Sequence, residues 1–160
     1  MTKVKVLFVC LGNICRSPLA EAIFKDKIKR RNLDHLFVVD SCGTANYHVG
    51  DTPDPRTIAN AKKNGVEIDH LGRQFGTRDF KDFDHILVMD SSNHSNVMRL
   101  LGDPAHAGKV AMMRNFDPTG FGHDVPDPYY GQERHFQEVF DILDRSTENF
   151  LDHLEKELKR

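Results

Sequence analysis

Lys3-Val4-Lys5-Val6-Leu7-Phe8-Val9 followed by Cys10-Leu11-Gly12-Asn13-Ile14-Cys15-Arg16-Ser17-Pro18 and then Leu19-Ala20-Glu21-Ala22-Ile23-Phe24 is the stretch that decides the fold. The first segment is β-branched and apolar enough for a buried strand, and the last reads as helix with Pro18 near its first turn. The loop between them therefore feeds a helix N-terminus. Backbone N–H groups there lack intrahelical partners and carry the positive end of the helix dipole, which suits a dianionic phosphate. Gly12 allows a tight turn, and Arg16 adds a planar fork of donors for two phosphate oxygens. Cys10 opens the loop. A free thiol titrates near about 8.5, and a helix N-terminus or a cation can lower that to about 3.5–7.5, enough for a nucleophile at neutral pH. A lone Cys-x5-Arg recurs by chance, and cysteine is often only a small buried hydrophobe. Its placement between strand and helix, with the Ser17 hydroxyl following, favours a phosphate site.

Working outward, strand and helix alternate. Leu19 to Arg31 reads as helix, Leu36 to Ser41 as strand, Pro53 to Asn64 as helix with Gly65 past its end, and Phe83 to Met89 as strand. Asp90-Ser91-Ser92 caps a helix through Leu101, and Lys109 to Met112 is a short strand. Phe116 to Tyr130 is a long Asp-, Gly- and Pro-rich loop. Gly131 to Leu158 carries apolar residues at spacings of three and four, an amphipathic helix for which a midway break is left open. This order predicts an α/β fold, a parallel sheet with helices on both faces and a ligand at the carboxyl ends of its strands.

At 160 residues the chain suits one domain over 1–160, with a core that needs no staple. A formal charge of −2 gives no basic field for nucleic acid. Three cysteines form no secreted disulfide framework, so a reducing cytoplasm is expected. No run approaches the ~20 apolar residues of a membrane span, and no leader pattern is visible. The nine histidines lack metal-ligand spacing, and most are expected on the surface or in loops.

Attack of a thiolate on a phosphomonoester needs an acid for the departing oxygen. Asp127, between Pro126 and Pro128, is the candidate, and Tyr129 and Tyr130 beside it would wall a cleft for a flat substrate. On composition alone Asp-Pro-Tyr-Tyr is a turn. Its weight comes from standing beside the N-terminal loop.

The Cys10 to Pro18 motif together with Asp127-Pro128-Tyr129-Tyr130, and with Asp40-Ser41-Cys42-Gly43-Thr44 and His70 to Phe75 between them, resembles the low-molecular-weight protein tyrosine phosphatases over essentially the whole chain. The resemblance implies a flavodoxin-like three-layer α/β/α fold with a four-stranded parallel sheet, no metal, no organic cofactor and a phosphocysteine intermediate. It implies Cys10 as nucleophile and Arg16 as phosphoryl ligand. Leu11, Gly12, Asn13, Ile14 and Cys15 would line the phosphate cradle, and Ser17 would assist the leaving thiolate. Asn13 would be held in a strained loop by Ser41 and His70. Asp127 would be general acid and then base, with Tyr129 and Tyr130 as aromatic wall. The partners implied are phosphotyrosine-containing proteins, a tyrosine kinase among the candidates, and phosphate or related oxyanions. Nucleic acid and membrane are not among them, and a monomer is expected.

Some residues qualify the resemblance. Tyr47 stands where many relatives carry tryptophan, keeping an aromatic wall. Cys42 replaces a common alanine and reads as packing. Ile14 goes with phosphotyrosine in this family, whereas threonine there goes with phosphoarginine. Cys15, read from the residues alone, is a small buried side chain; the resemblance implies instead a reversible disulfide with Cys10. Three alternatives remain: a protein arginine phosphatase, an arsenate reductase, and a phosphate-binding module without catalysis. The reductases carry a cysteine pair in the second half of the chain, whereas nothing follows Cys42 here. A binding module should have lost Cys10 or Asp127.

Overall fold

The computed structural model describes residues 2–159. Four strands, β1 (Val4–Cys10), β2 (Phe37–Gly43), β3 (His85–Val88) and β4 (Val110–Met112), form one parallel sheet in the order β2-β1-β3-β4. The helices are α1 (Arg16–Arg30), α2 (Pro55–Lys63), a single turn α3 (Asp79–Asp82), α4 (Ser91–Met98) and α5 (Glu133–Leu158). Both faces of β1 are covered, which is why its sequence is continuously apolar rather than alternating. Val6, Phe8 and Cys10 pack with Leu19, Ile23 and Phe24 of α1 and Leu143, Phe150 and Leu151 of α5. Leu7 and Val9 point the other way, to Phe80 and Val97. This is the parallel sheet with helices on both faces that the strand-helix alternation predicts, and the flavodoxin-like three-layer α/β/α arrangement that the resemblance implies.

The chain leaves β1 for β2 on one side and later reaches β3 on the other, so the strand order reverses around the carboxyl end of β1. That crevice is where open α/β sheets bind ligands. Cys10 is the last residue of β1, and α1 begins at Arg16, three residues earlier than the apolar pattern predicts. The early start puts Arg16 and Ser17 in the first helical turn, beside the free amides.

Other boundaries also move. β2 begins at Phe37 because Leu36 ends a 3-10 turn, and β3 begins at His85 because α3, absent from the sequence reading, lies just before it. α4 stops at Met98, short of Leu101. α5 runs unbroken for 26 residues. The polar gap in its sequence interrupts nothing because Ser146 and Thr147 are fully buried on the same stripe. Thr147 donates its hydroxyl to the Leu143 carbonyl at 2.6 Å, so its polarity is satisfied inside the helix. His85 departs from the expectation of surface histidines: it packs edge-on to Phe150 at 5.6 Å, and burial lowers its pKa.

Candidate active site

Asn13 makes the loop after β1 possible. Its φ is +57°, a left-handed conformation that costs a side chain energy unless neighbours hold it. Here they do. Its amide nitrogen donates to Ser17 Oγ at 2.8 Å and to Ser41 Oγ at 3.1 Å. Its amide oxygen accepts from His70 Nε2 at 2.6 Å and from the Arg73 backbone at 3.1 Å. Ser41 Oγ donates a hydrogen bond to Glu21 Oε1 at 2.6 Å, and His70 Nδ1 lies 3.2 Å from the same oxygen. The family resemblance thus placed Asn13, Ser41 and His70 together, and the sequence reading missed Glu21. The signal was present: a lone acid within the apolar run Leu19 to Phe24. Despite its burial, hydrogen bonds from His70, Lys25 and Ser41 hold Glu21 below its usual pKa.

The loop curls back so that the Asn13 N–H points at Cys10 Sγ, 3.3 Å away, and Ser17 Oγ lies 3.0 Å from the same sulfur. Ser17 already accepts from Asn13, so its own proton is available to Cys10, with the Cys42 carbonyl at 3.3 Å the competing acceptor. Gly43 closes the packing, since a Cβ there would meet the Leu11 carbonyl at 2.6 Å. Cys42 itself is fully buried.

Arg16 is buried and anchored through one nitrogen. Its Nη1 donates to Asp90 Oδ2 at 2.7 Å and to the Val125 carbonyl at 2.9 Å, which leaves Nε and Nη2 directed elsewhere. Nη2 is 3.7 Å from Asp127 Oδ2. Asp90 does cap α4, accepting from Asn93 N at 2.7 Å, and its second oxygen holds Arg16. A reading confined to caps could not see that second role, although the carboxyl end of β3 is where the topology rule points.

Cys10, Leu11, Gly12, Ile14, Cys15 and Arg16 line a cavity of about 310 Å³, together with Tyr47, His48, Asp127, Tyr129 and Tyr130. Cys10, Cys15 and Arg16 are buried, whereas Tyr47 and Tyr130 are exposed, so the cavity runs from a polar base to an aromatic mouth. Tyr129 and Tyr130 stand edge to face at 4.9 Å. His48, not singled out from sequence, sits over Gly12 and is 3.1 Å from Asp51. All three cysteines are unpaired, and burial pushes the Cys15 thiol up to about 12. Glu21, Asp40 and His70 come close enough to hold an ion, yet each is already bonded: Glu21 to Lys25 and Ser41, Asp40 to Arg73, and His70 to Asn13.

Residues 5–160 match the family model described as low molecular weight phosphotyrosine protein phosphatase. The chain belongs to that family. It is 46% identical to a low molecular weight phosphotyrosine protein phosphatase of Schizosaccharomyces pombe, over 94% of this chain and 97% of that one. A crystal structure of a protein tyrosine phosphatase from Entamoeba histolytica, with Hepes in its active site, superposes with a TM-score of 0.93 at 40% identity, covering 96% of this chain and 98% of that chain. A Drosophila arginine phosphatase gives 0.88 at 35% identity, covering 94% and 98%. The protein is an enzyme of this family, and its substrates are phosphoproteins. Among the described residues no helix is long and apolar enough to cross a membrane.

Proposed function

We propose that this phosphatase hydrolyses phosphotyrosine in proteins through a phosphocysteine at Cys10. The observation that carries the reading is the convergence of Cys10, Arg16 and Asp127 on one cavity whose mouth is built from tyrosines. In the first step the Cys10 thiolate, which accepts from Ser17 and the Asn13 amide, attacks phosphorus. The free edge of Arg16 and the loop N–H groups from Leu11 to Ser17 bind the equatorial oxygens, which gather charge in the transition state. Asp127 gives its proton to the departing phenolate. In the second step the Asp127 carboxylate takes a proton from water, the oxygen attacks phosphorus, and the S–P bond breaks with Ser17 donating to the sulfur. Asp127 is half exposed, so water reaches it.

Phosphate and related oxyanions should compete for the same cradle. The partners are phosphotyrosine proteins, a tyrosine kinase among the candidates, met by a monomer in the cytoplasm. Cys15 adds a redox function: peroxide converts Cys10 to a sulfenic acid, the Cys15 thiol displaces water from it, and the resulting disulfide is reopened by external thiol. Unchanged thiol recovery in Cys15→Ser would remove that role. Phosphoarginine hydrolysis is the second reading, favoured by the likeness to the Drosophila enzyme and opposed by Ile14 and the aromatic wall.

The test is turnover of p-nitrophenyl phosphate in EDTA at mildly acidic pH, with phosphoarginine as competing substrate. Activity should vanish in Cys10→Ser and fall by about 10²-fold or more in Asp127→Ala, the range that general acids supply. An inactive wild type that still binds phosphate would return the chain to the binding-module reading, and preferential cleavage of phosphoarginine would reverse the substrate assignment.

A further inference from the structure

Asp127 is poorly supported by its own surroundings. Its side chain is 46% exposed, and Arg16 approaches it only to 3.7 Å. Among the described residues its one close bond is from the Tyr129 backbone N–H to Oδ1, at 3.1 Å, so the direction of the carboxyl follows the orientation of the Tyr129 backbone. The Tyr129 carbonyl in turn accepts from Arg56 Nη2 at 2.8 Å.

Arg56 is itself fixed. It is the second residue of α2, behind Pro55, and Asp54 takes its guanidinium from two sides, Nε to Oδ1 at 3.1 Å and Nη2 to Oδ2 at 2.8 Å. The guanidinium lies 4.7 Å above the Phe136 ring of α5 and 5.5 Å from the Tyr129 ring. Asp54 is buried, and its backbone N–H donates to the Ile14 carbonyl in the phosphate loop at 2.8 Å. A continuous path of bonds therefore joins the base of the cavity to Asp127, by way of Ile14, Asp54, Arg56 and Tyr129. Arg56 is not among the residues that line the cavity.

We propose that Arg56 is a positioning residue, which sets the direction and distance of the Asp127 carboxyl relative to the phosphate loop by holding the Tyr129 carbonyl. The proposal rests on the reading of Asp127 as general acid. Arg56 is half exposed but Asp54 is buried, so losing Arg56 also costs stability, and the positioning role is read from rate: a displacement of about 1 Å in a reacting group can cost 10²-fold. In the folded variant the consequence of losing Arg56 falls on leaving-group protonation. Its hydrogen bonds hold the Asp54 carboxyl below the usual range, so the pair stays charged at mildly acidic pH.

The experiment is kcat/KM across an aryl phosphate series from 2,4-dinitrophenyl through p-nitrophenyl to phenyl phosphate, for wild type, Arg56→Met, Arg56→Lys and Asp127→Ala. An acidic phenol leaves without help and an unactivated phenol does not, so a misplaced acid shows as a steeper dependence on the leaving group. Arg56→Met keeps an unbranched side chain beside Phe136 and removes the donors. It should lower kcat/KM about tenfold for phenyl phosphate and less than about twofold for the dinitrophenyl ester, with the inhibition constant of inorganic phosphate unchanged. Arg56→Lys, whose single ammonium cannot serve Asp54 and Tyr129 as the fork does, should fall between. Adding Arg56→Met to Asp127→Ala should cost little more than Asp127→Ala alone.

A uniform loss across the series, or none, in an Arg56 variant while Asp127→Ala shows the leaving-group dependence would overturn the positioning role alone. If Asp127→Ala itself shows no such dependence, the general-acid reading fails and the proposal with it. Should Arg56→Met not fold, Arg56→Lys decides by the same comparison.

Discussion

The loop from Cys10 to Ser17 and the loop from Asp117 to Tyr130 face each other across one cavity, yet they are held by different means. The first is short, buried, and clamped by a strand before it and a helix after it. Its side chains Asn13 and Ser17 satisfy one another locally, and its outside ties run to Ser41, His70, Arg73 and Asp90. The second is long and partly exposed. It is pinned from distant chain segments by Val125 N to the Met89 carbonyl at 2.7 Å, Arg16 to Val125 and Arg56 to Tyr129, and from just before the loop by Arg114 to the Asp124 carbonyl at 3.0 Å. At its root Asp117 is buried between Arg114 and Arg145, 2.9 Å and 2.8 Å away. On the proposed reading a phosphate cradle needs amides fixed against each other, which a tight loop supplies once a few outside ties hold its left-handed residue. A proton donor must meet a leaving group of variable shape, and a loop fixed at a few points allows that.

The contrast is broken most forcefully at Asp90. Asp90→Ala leaves the buried Arg16 guanidinium without its counter-charge, a defect that costs roughly 3–5 kcal/mol. Denaturant midpoint and phosphate inhibition should both fall, and an intact phosphate affinity would show that the cradle does not depend on this tie. Asn13→Ala comes next. It removes the hydrogen bonds to Ser17, Ser41, His70 and Arg73 and puts alanine at φ +57°, for about 2–3 kcal/mol together. Asn13→Gly relieves the backbone and not the bonds, so calorimetry of the pair separates strain from tethering.

Asp117→Asn should give the smallest loss, about 1–2 kcal/mol at neutral pH, and it probes the other loop. Burial alone would raise the Asp117 pKa, but hydrogen bonds from Arg145, Thr119 and Arg114 pull it well below the carboxylate range. A depressed pKa contributes stability that is present above the unfolded value of about 3.9 and is lost as pH falls through the folded one. The variant should therefore approach wild-type stability in strong acid, and a gap between the two that is constant with pH would deny the charge its part. Phosphate inhibition should stay unchanged at neutral pH, unlike in the Asp90 and Asn13 variants.

The placement of Cys10, Arg16 and Ser17 in one loop was legible because its signal is local: strand, glycine-containing loop and helix start are consecutive, and Cys-x5-Arg lies within them. Asp127 was legible only by its flanking prolines and by resemblance. Glu21, Asp54, Arg56 and Asp90 escaped because each has an ordinary local reading, as a residue of a helix or its cap, that its contacts across the fold extend.

The amino-acid sequence by itself determined the alternation of strand and helix and the loop after β1, since hydrophobic period and turn chemistry act over neighbouring residues, and its motifs carried the family by resemblance. The tertiary structure alone decided that the Asp90 and Asp127 carboxylates and the Val125 carbonyl meet around Arg16, and that Arg56 reaches the loop of Asp127. Those encounters join residues 73 to 111 positions apart. Only packing of the helices onto a sheet with the order β2-β1-β3-β4 brings such residues within hydrogen-bond or ion-pair distance of each other.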